Sequence, residues 1–121
     1  NIKHFGFVQA AELAGYIKET GVFVLPSHNE PWGVVVHEFA AAGFPLICSD
    51  KVGSASTFLE PNKNGYIYPA GDIEQLKNCL KNIITLTDNR LFEMAEISAE
   101  KALQITPKKW TNTILSILNK S

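Results

Sequence analysis

Glu30 and Glu38 are separated by seven residues inside Pro26-Ser-His-Asn-Glu-Pro-Trp-Gly-Val-Val-Val-His-Glu-Phe-Ala-Ala-Ala-Gly-Phe-Pro45. With Asn29 or Glu30 as N-cap and Pro31 as the first helical residue, the pattern predicts a helix to about Ala42, stopped by Gly43. Val34, Val35, Val36, Phe39, Ala40, Ala41 and Ala42 make that helix apolar on nearly every side. A helix of this kind is expected to be buried, so Glu38 is an ionisable group whose lone charge would cost several kcal/mol. Two explanations stand: an Arg or Lys partner in the core, or a ligand. The turn before the helix favours the ligand. Trp32-Gly33-Val34 would offer free backbone N–H groups at the positive end of the helix dipole, and Gly33 lets the backbone come close to an anion such as phosphate. In open parallel sheets such a turn lies outside the carboxyl ends of the strands, where an acidic side chain can hold ribose hydroxyls. An anion site beside a carboxylate suggests a nucleotide.

The elements that must position this turn are short apolar runs alternating with helical patterns. Residues 2–8, 22–25, 46–48 and 66–68 are predicted as four mainly parallel strands of a Rossmann-like α/β sheet. Residues 10–19 form a helix with Leu13, Tyr16 and Ile17 inward, completing a strand-helix-strand unit with an expected right-handed crossover. Residues 49–57, rich in Ser and Gly, make a polar loop that would line the same cleft or serve as an ordinary surface loop. Asn64-Gly65 supplies left-handed conformations for a turn. Asp72, with Gln75 three residues on, caps a helix whose core face is Ile73, Leu76, Leu80, Ile83 and Ile84. Residues 91–104 follow, packing Leu91, Met94, Ala95 and Ala102. A last helix starts at Thr106-Pro107, with Trp110, Ile114, Ile117 and Leu118 inward, so the carboxyl end reads as complete.

Composition bounds the alternatives. A chain of 121 residues with 45% hydrophobic residues is one domain with a real core. Its net charge of -1 and the lack of a basic stripe argue against nucleic acid as a partner. Cys48, in a strand, and Cys79, in a helix, are expected as buried free thiols of a reducing compartment, with the cytoplasm as the default location. No apolar run has the length of a membrane span, and the first residues lack the pattern of a signal peptide. The chain opens without methionine, almost directly in a strand, which points to a piece of something longer. Gly-x-Gly-x-x-Gly and Walker motifs are absent, and His4, His28 and His37 have no partners at metal-ligand spacing. His28 lies within the glutamate turn, and a turn histidine is commonly just solvated.

The ordered set Pro-Ser-x-x-Glu-x-x-Gly-x-x-x-x-Glu followed by Ala-Ala-Gly-Phe-Pro45 resembles the signature of retaining glycosyltransferases of the group 1 (family 4) class. The likeness runs from Phe5-Gly-Phe to Trp110 and is most specific from Pro26 to Pro45. It implies the donor-binding part of a two-Rossmann-domain, GT-B type enzyme, acting in polysaccharide biosynthesis. Its donor would be a nucleotide-diphosphate sugar and its acceptor a glycan or a lipid or lipid-linked molecule, with no further cofactor and no metal. The resemblance makes Glu30 the catalytic residue against the donor sugar. It makes Trp32, Gly33, Val34 and Val35 binders of sugar and diphosphate oxygens through their backbones, and Glu38 the ribose ligand. It also implies a missing N-terminal Rossmann-like half, and a parent enzyme that is cytoplasmic or peripheral to a membrane.

Two departures from the family pattern stand out. Where the family has Gly-Gly-x-x-Glu, this chain has Gly53-Ser54-Ala55-Ser56-Thr57, without the glutamate. The family's first two donor-domain strands, and the Arg and Lys that meet the diphosphate after the first of them, have no counterpart here. The sheet is thus an incomplete domain whose exposed edges offer a route to dimerisation. A non-catalytic nucleotide-binding module and a sugar-phosphate epimerase are the alternatives on the same architecture.

Overall fold

A computed structural model describes residues 2–119. Three parallel strands form one sheet in the order β1 (Phe23–Leu25), β2 (Leu46–Ser49), β3 (Gly65–Tyr68), with Phe23 beside Leu46 and Leu46 beside Gly65. The helices are α1 (Ala10–Ile17), α2 (Val34–Ala41), α3 (Ala55–Phe58), α4 (Ile73–Ile84), α5 (Asp88–Ala102) and α6 (Pro107–Leu118). β2 is buried along its whole length, as its apolar run requires for a central parallel strand. Its side chains alternate. Leu46 and Cys48 pack with Val36 and Ala40 of α2, Phe58 of α3 and Ala102 of α5, whereas Ile47 packs with Tyr68, Cys79 and Ile83 of α4 and Met94 of α5. Gly65 fits beside β2 because it has no side chain: a Cβ there would lie 1.8 Å from the Leu46 carbonyl oxygen.

The fold is therefore the α/β parallel sheet that the alternation predicts, with three strands among the described residues instead of four. Residues 2–8 form no strand: Ile2, Phe5 and Phe7 are exposed, and among the described residues β1 pairs only with β2. An apolar run becomes a strand only where a neighbouring edge accepts its hydrogen bonds, and none reaches this segment. Phe5 rests instead on Tyr16 of α1, with ring centroids 4.4 Å apart, and Leu13 and Tyr16 are each 38% exposed rather than buried inward.

Helix faces also depart from expectation. In α4 the buried positions are Cys79 and Ile83, with Leu76 half-buried, while Ile73 and Ile84 face solvent. α5 starts at Asp88, capped by Thr87, and buries Met94, Ser98 and Ala102. α6 keeps the Thr106 cap and Pro107 start but buries none of its residues; Trp110 is 66% exposed, and Ile114, Ile117 and Leu118 are exposed too. The left-handed residue of the turn before β3 is Asn62. Asn64 is instead fully buried, donating from Nδ2 to the Phe58 carbonyl and the Ser98 hydroxyl and accepting from the Glu60 amide. Asp72 caps α4 as expected, its carboxylate accepting from the Gln75 amide at 2.9 Å.

Cys48 and Cys79 are buried free thiols. Burial pushes the Cys48 thiol up to about 12 and raises that of Cys79. No helix among the described residues is long and apolar enough to cross a membrane.

Candidate functional site

Parallel pairing brings the segments after all three strands to one edge of the sheet. Residues 26–33 follow β1, residues 50–54 follow β2 and residues 69–72 follow β3. Asp50 ties the second segment to the third: its amide donates to the Tyr68 carbonyl, and its carboxylate accepts from the Ala70 amide. Ser49 ties the second to the first by donating its hydroxyl to the Ser27 carbonyl.

The first two segments are joined most closely at Glu30. Its amide donates to the Lys51 carbonyl and its carbonyl accepts from the Gly53 amide, both at 3.0 Å, so Glu30 and Val52 form a parallel bridge. The Ser54 amide donates to the Trp32 carbonyl at 2.8 Å. Gly53 makes this approach possible, since a Cβ there would stand 2.1 Å from the Pro31 carbonyl oxygen.

This pairing moves the helix start. Pro31 and Trp32 belong to the joined loops, and α2 begins at Val34 with Gly33 as N-cap in the left-handed region (φ 82°). Neither Asn29 nor Glu30 caps the helix. Gly43, with φ 76°, ends it as the sequence indicates.

Glu30, Trp32, Gly33, Val34 and Val35 are thus consecutive or nearly so in one turn at the carboxyl edge, with Glu38 one helical turn beyond Val34. Glu30 is half-buried, and its Oε1 accepts weakly from the Trp32 amide at 3.4 Å. Trp32 is 46% exposed, its ring set edge-on to Phe58. Gly33 is buried, and a side chain there would press on the Glu30 Cγ at 3.0 Å. Its smallness serves Glu30 first. Val34 and Val35 open α2, so their N–H groups have no acceptor one turn back, whereas Val36 already donates to the Gly33 carbonyl.

Glu38 corrects the sequence reading most directly. It is exposed, not buried. Val36 and Ala40 carry the buried face of α2, while Val34, Glu38, Ala41 and Ala42 lie along an open stripe at helical spacing. No core cation is needed to explain the carboxylate. His37 sits between these faces, stacked on Phe58 with ring centroids 4.4 Å apart, its Nε2 3.0 Å from the Ala102 carbonyl oxygen. His28 is exposed, with its ring edge against Gly71.

The loop 49–57 belongs to this edge, and the sequence left its role open. Its main chain carries the Glu30 turn, and Ser54 adds a side-chain bond by donating from Oγ to the Gly33 carbonyl at 3.0 Å. The one available signal for Ser54 was its place where the similar pattern has a second glycine.

The family model described as "Glycosyl transferases group 1" matches residues 1–103. The chain is 31% identical over 117 residues to the sulfoquinovosyl transferase SQD2 of Arabidopsis thaliana, covering 94% of this chain and 22% of that protein. It is 30% identical over 120 residues to the D-inositol 3-phosphate glycosyltransferase of Jonesia denitrificans, covering 96% of this chain and 27% of that protein. Among solved structures, sucrose-phosphate synthase from Thermosynechococcus elongatus superposes with a TM-score of 0.77 at 25% identity, over 95% of this chain and 28% of that chain. The chain therefore spans about a quarter of the length of these relatives.

Proposed function

Because the chain belongs to the group 1 glycosyl transferases, we propose that it is the donor-binding part of a retaining, family 4 enzyme of GT-B architecture. That enzyme would transfer a hexosyl unit from a nucleotide-diphosphate sugar to a glycan or lipid-linked acceptor held by a second Rossmann-like half. One observation carries the reading: free helix-start N–H groups flanked by Glu30 and Glu38 at the carboxyl edge of a parallel sheet. Val34 and Val35 N–H groups would meet diphosphate and sugar oxygens, with the dipole of α2 favouring the negative charge that grows as the sugar-phosphate bond breaks. Glu38, being exposed, is accessible to ribose hydroxyls, from which its carboxylate can accept charge-assisted hydrogen bonds. Glu30 would lie against the donor sugar.

Incubating the full-length parent enzyme with labelled UDP-, GDP- and ADP-sugars and an acceptor extract tests this. One donor should yield a product with the donor's anomeric configuration, read by NMR coupling constants, and Glu30→Gln should abolish it. An inverted product rejects the retaining class. Epimerised sugar without transfer rejects the transferase reading for the parent.

A further inference from the structure

We propose that Ser54 is a positioning residue for the donor turn: its hydroxyl holds the Gly33–Val34 peptide so that the Val34 N–H faces the anion. This rests on the donor-binding reading above and deepens it. The Gly33 carbonyl and the Val34 N–H belong to one planar peptide unit and point in opposite directions, so fixing the oxygen aims the hydrogen. Gly33, left-handed and without a Cβ, leaves that peptide freer to rotate than any other residue would. Two donors converge on its oxygen, the Val36 amide at 3.0 Å and the Ser54 hydroxyl at 3.0 Å, and a carbonyl has two lone pairs to receive them. The Val36 bond comes from within the helix and would follow the turn if it shifted. Ser54 stands outside it, on the segment anchored to β2.

A second observation singles out this hydroxyl. Ser54 is the N-cap residue of α3, where a serine ordinarily bonds its own helix, yet its side chain makes no capping bond and is fully buried against Gly33. The other bonds joining the two segments, from the Glu30, Gly53 and Ser54 amides and the Ser49 hydroxyl, do not use the Ser54 side chain, so Ser54→Ala would leave them intact. Substitution therefore removes the aim of one peptide and spares the joined loops.

The test uses the full-length enzyme with UDP, GDP and ADP as probes, together with the matching nucleosides. Ser54→Ala, and Ser54→Gly as a second variant carrying the residue of the similar pattern, should weaken binding of the preferred diphosphate about three-fold to ten-fold. Affinity for its nucleoside, followed by NMR titration, should stay unchanged, because the nucleoside does not reach the peptide. Equal losses for both ligands, no loss for either, or failure of both variants to fold would overturn the positioning role and leave a structural one. A wild-type enzyme that binds none of the three diphosphates would refute the donor reading itself, and the role of Ser54 with it.

Discussion

Glu38 projects from α2 into solvent, so removing its charge relieves no buried strain and leaves no orphaned partner. Glu38→Ala should change unfolding free energy by no more than about 0.5 kcal/mol, as for surface substitutions elsewhere. Under the proposed function, nucleotide affinity of the parent enzyme should nevertheless fall about ten-fold to a hundred-fold, the worth of charge-assisted hydrogen bonds to ribose. Calorimetry and thermal denaturation on the same protein separate the two effects, and unchanged affinity would dismiss Glu38 as a ligand. Gly53 behaves oppositely. A methyl group 2.1 Å from the Pro31 carbonyl has no room, so Gly53→Ala should destabilise the fold by about 1–3 kcal/mol in denaturant titration as it prises the two segments apart. Cys48 gives a third check at this scale. With its thiol pushed up to about 12 by burial, it should resist alkylation at pH 8 in the native chain and react once guanidinium unfolds it.

Between elements, Glu60 links the turn before β3 to α5, 2.5 Å from Lys63 and 3.1 Å from Lys101. The hydrogen bonds from Lys63 and Lys101 hold its carboxyl below the usual value of 4.5. A group with a lowered folded-state value contributes stability above 4.5 and loses it as pH falls below, because protonation is then easier in the unfolded chain. Glu60→Gln should therefore lower stability at pH 7 and flatten its decline below pH 4.5, measured by denaturant midpoints across pH.

The same scale explains what the sequence disclosed. β1, β2 and β3 were legible from their short apolar runs, although β2 alone is buried along its whole length, and the Asp72 cap and the Thr106-Pro107 helix start because they rest on local bonds. The start of α2 was not legible. Pro31 and Trp32 read as helical by residue type, but their backbone is held by residues 51–54, more than twenty positions away. Residues 2–8 misled for a related reason: their apolar pattern states a capacity to pair, and pairing depends on a neighbour that the pattern does not contain.

At the scale of the molecule, large apolar side chains stand in solvent on several sides: Phe7 at 87%, Val34 at 61%, and most of the apolar residues of α6. α6 buries none of its residues and leaves most of its apolar side chains exposed, so α6 and the open stripe of α2 are surfaces suited to cover by more protein. Under the proposed function that cover is the acceptor-binding half, which leads to the final prediction: this 121-residue chain alone transfers no sugar. Transfer requires donor and acceptor held in attack geometry and a preorganised response to charge on the departing diphosphate. The chain supplies helix-start N–H groups and two carboxylates. On the joined loops the cationic Lys51 lies 3.9 Å from Asp50, which partly neutralises it toward an anion. Loss of one charged donor to a developing anion costs about 100-fold to 1,000-fold in rate, and loss of acceptor orientation costs more. Assayed beside the full-length enzyme with the same labelled sugar nucleotides, the isolated chain should bind its nucleotide weakly and give no product above background. Transfer at a rate near the parent's would mean that the catalytic groups lie wholly within these residues, and that the division of labour between two halves is wrong.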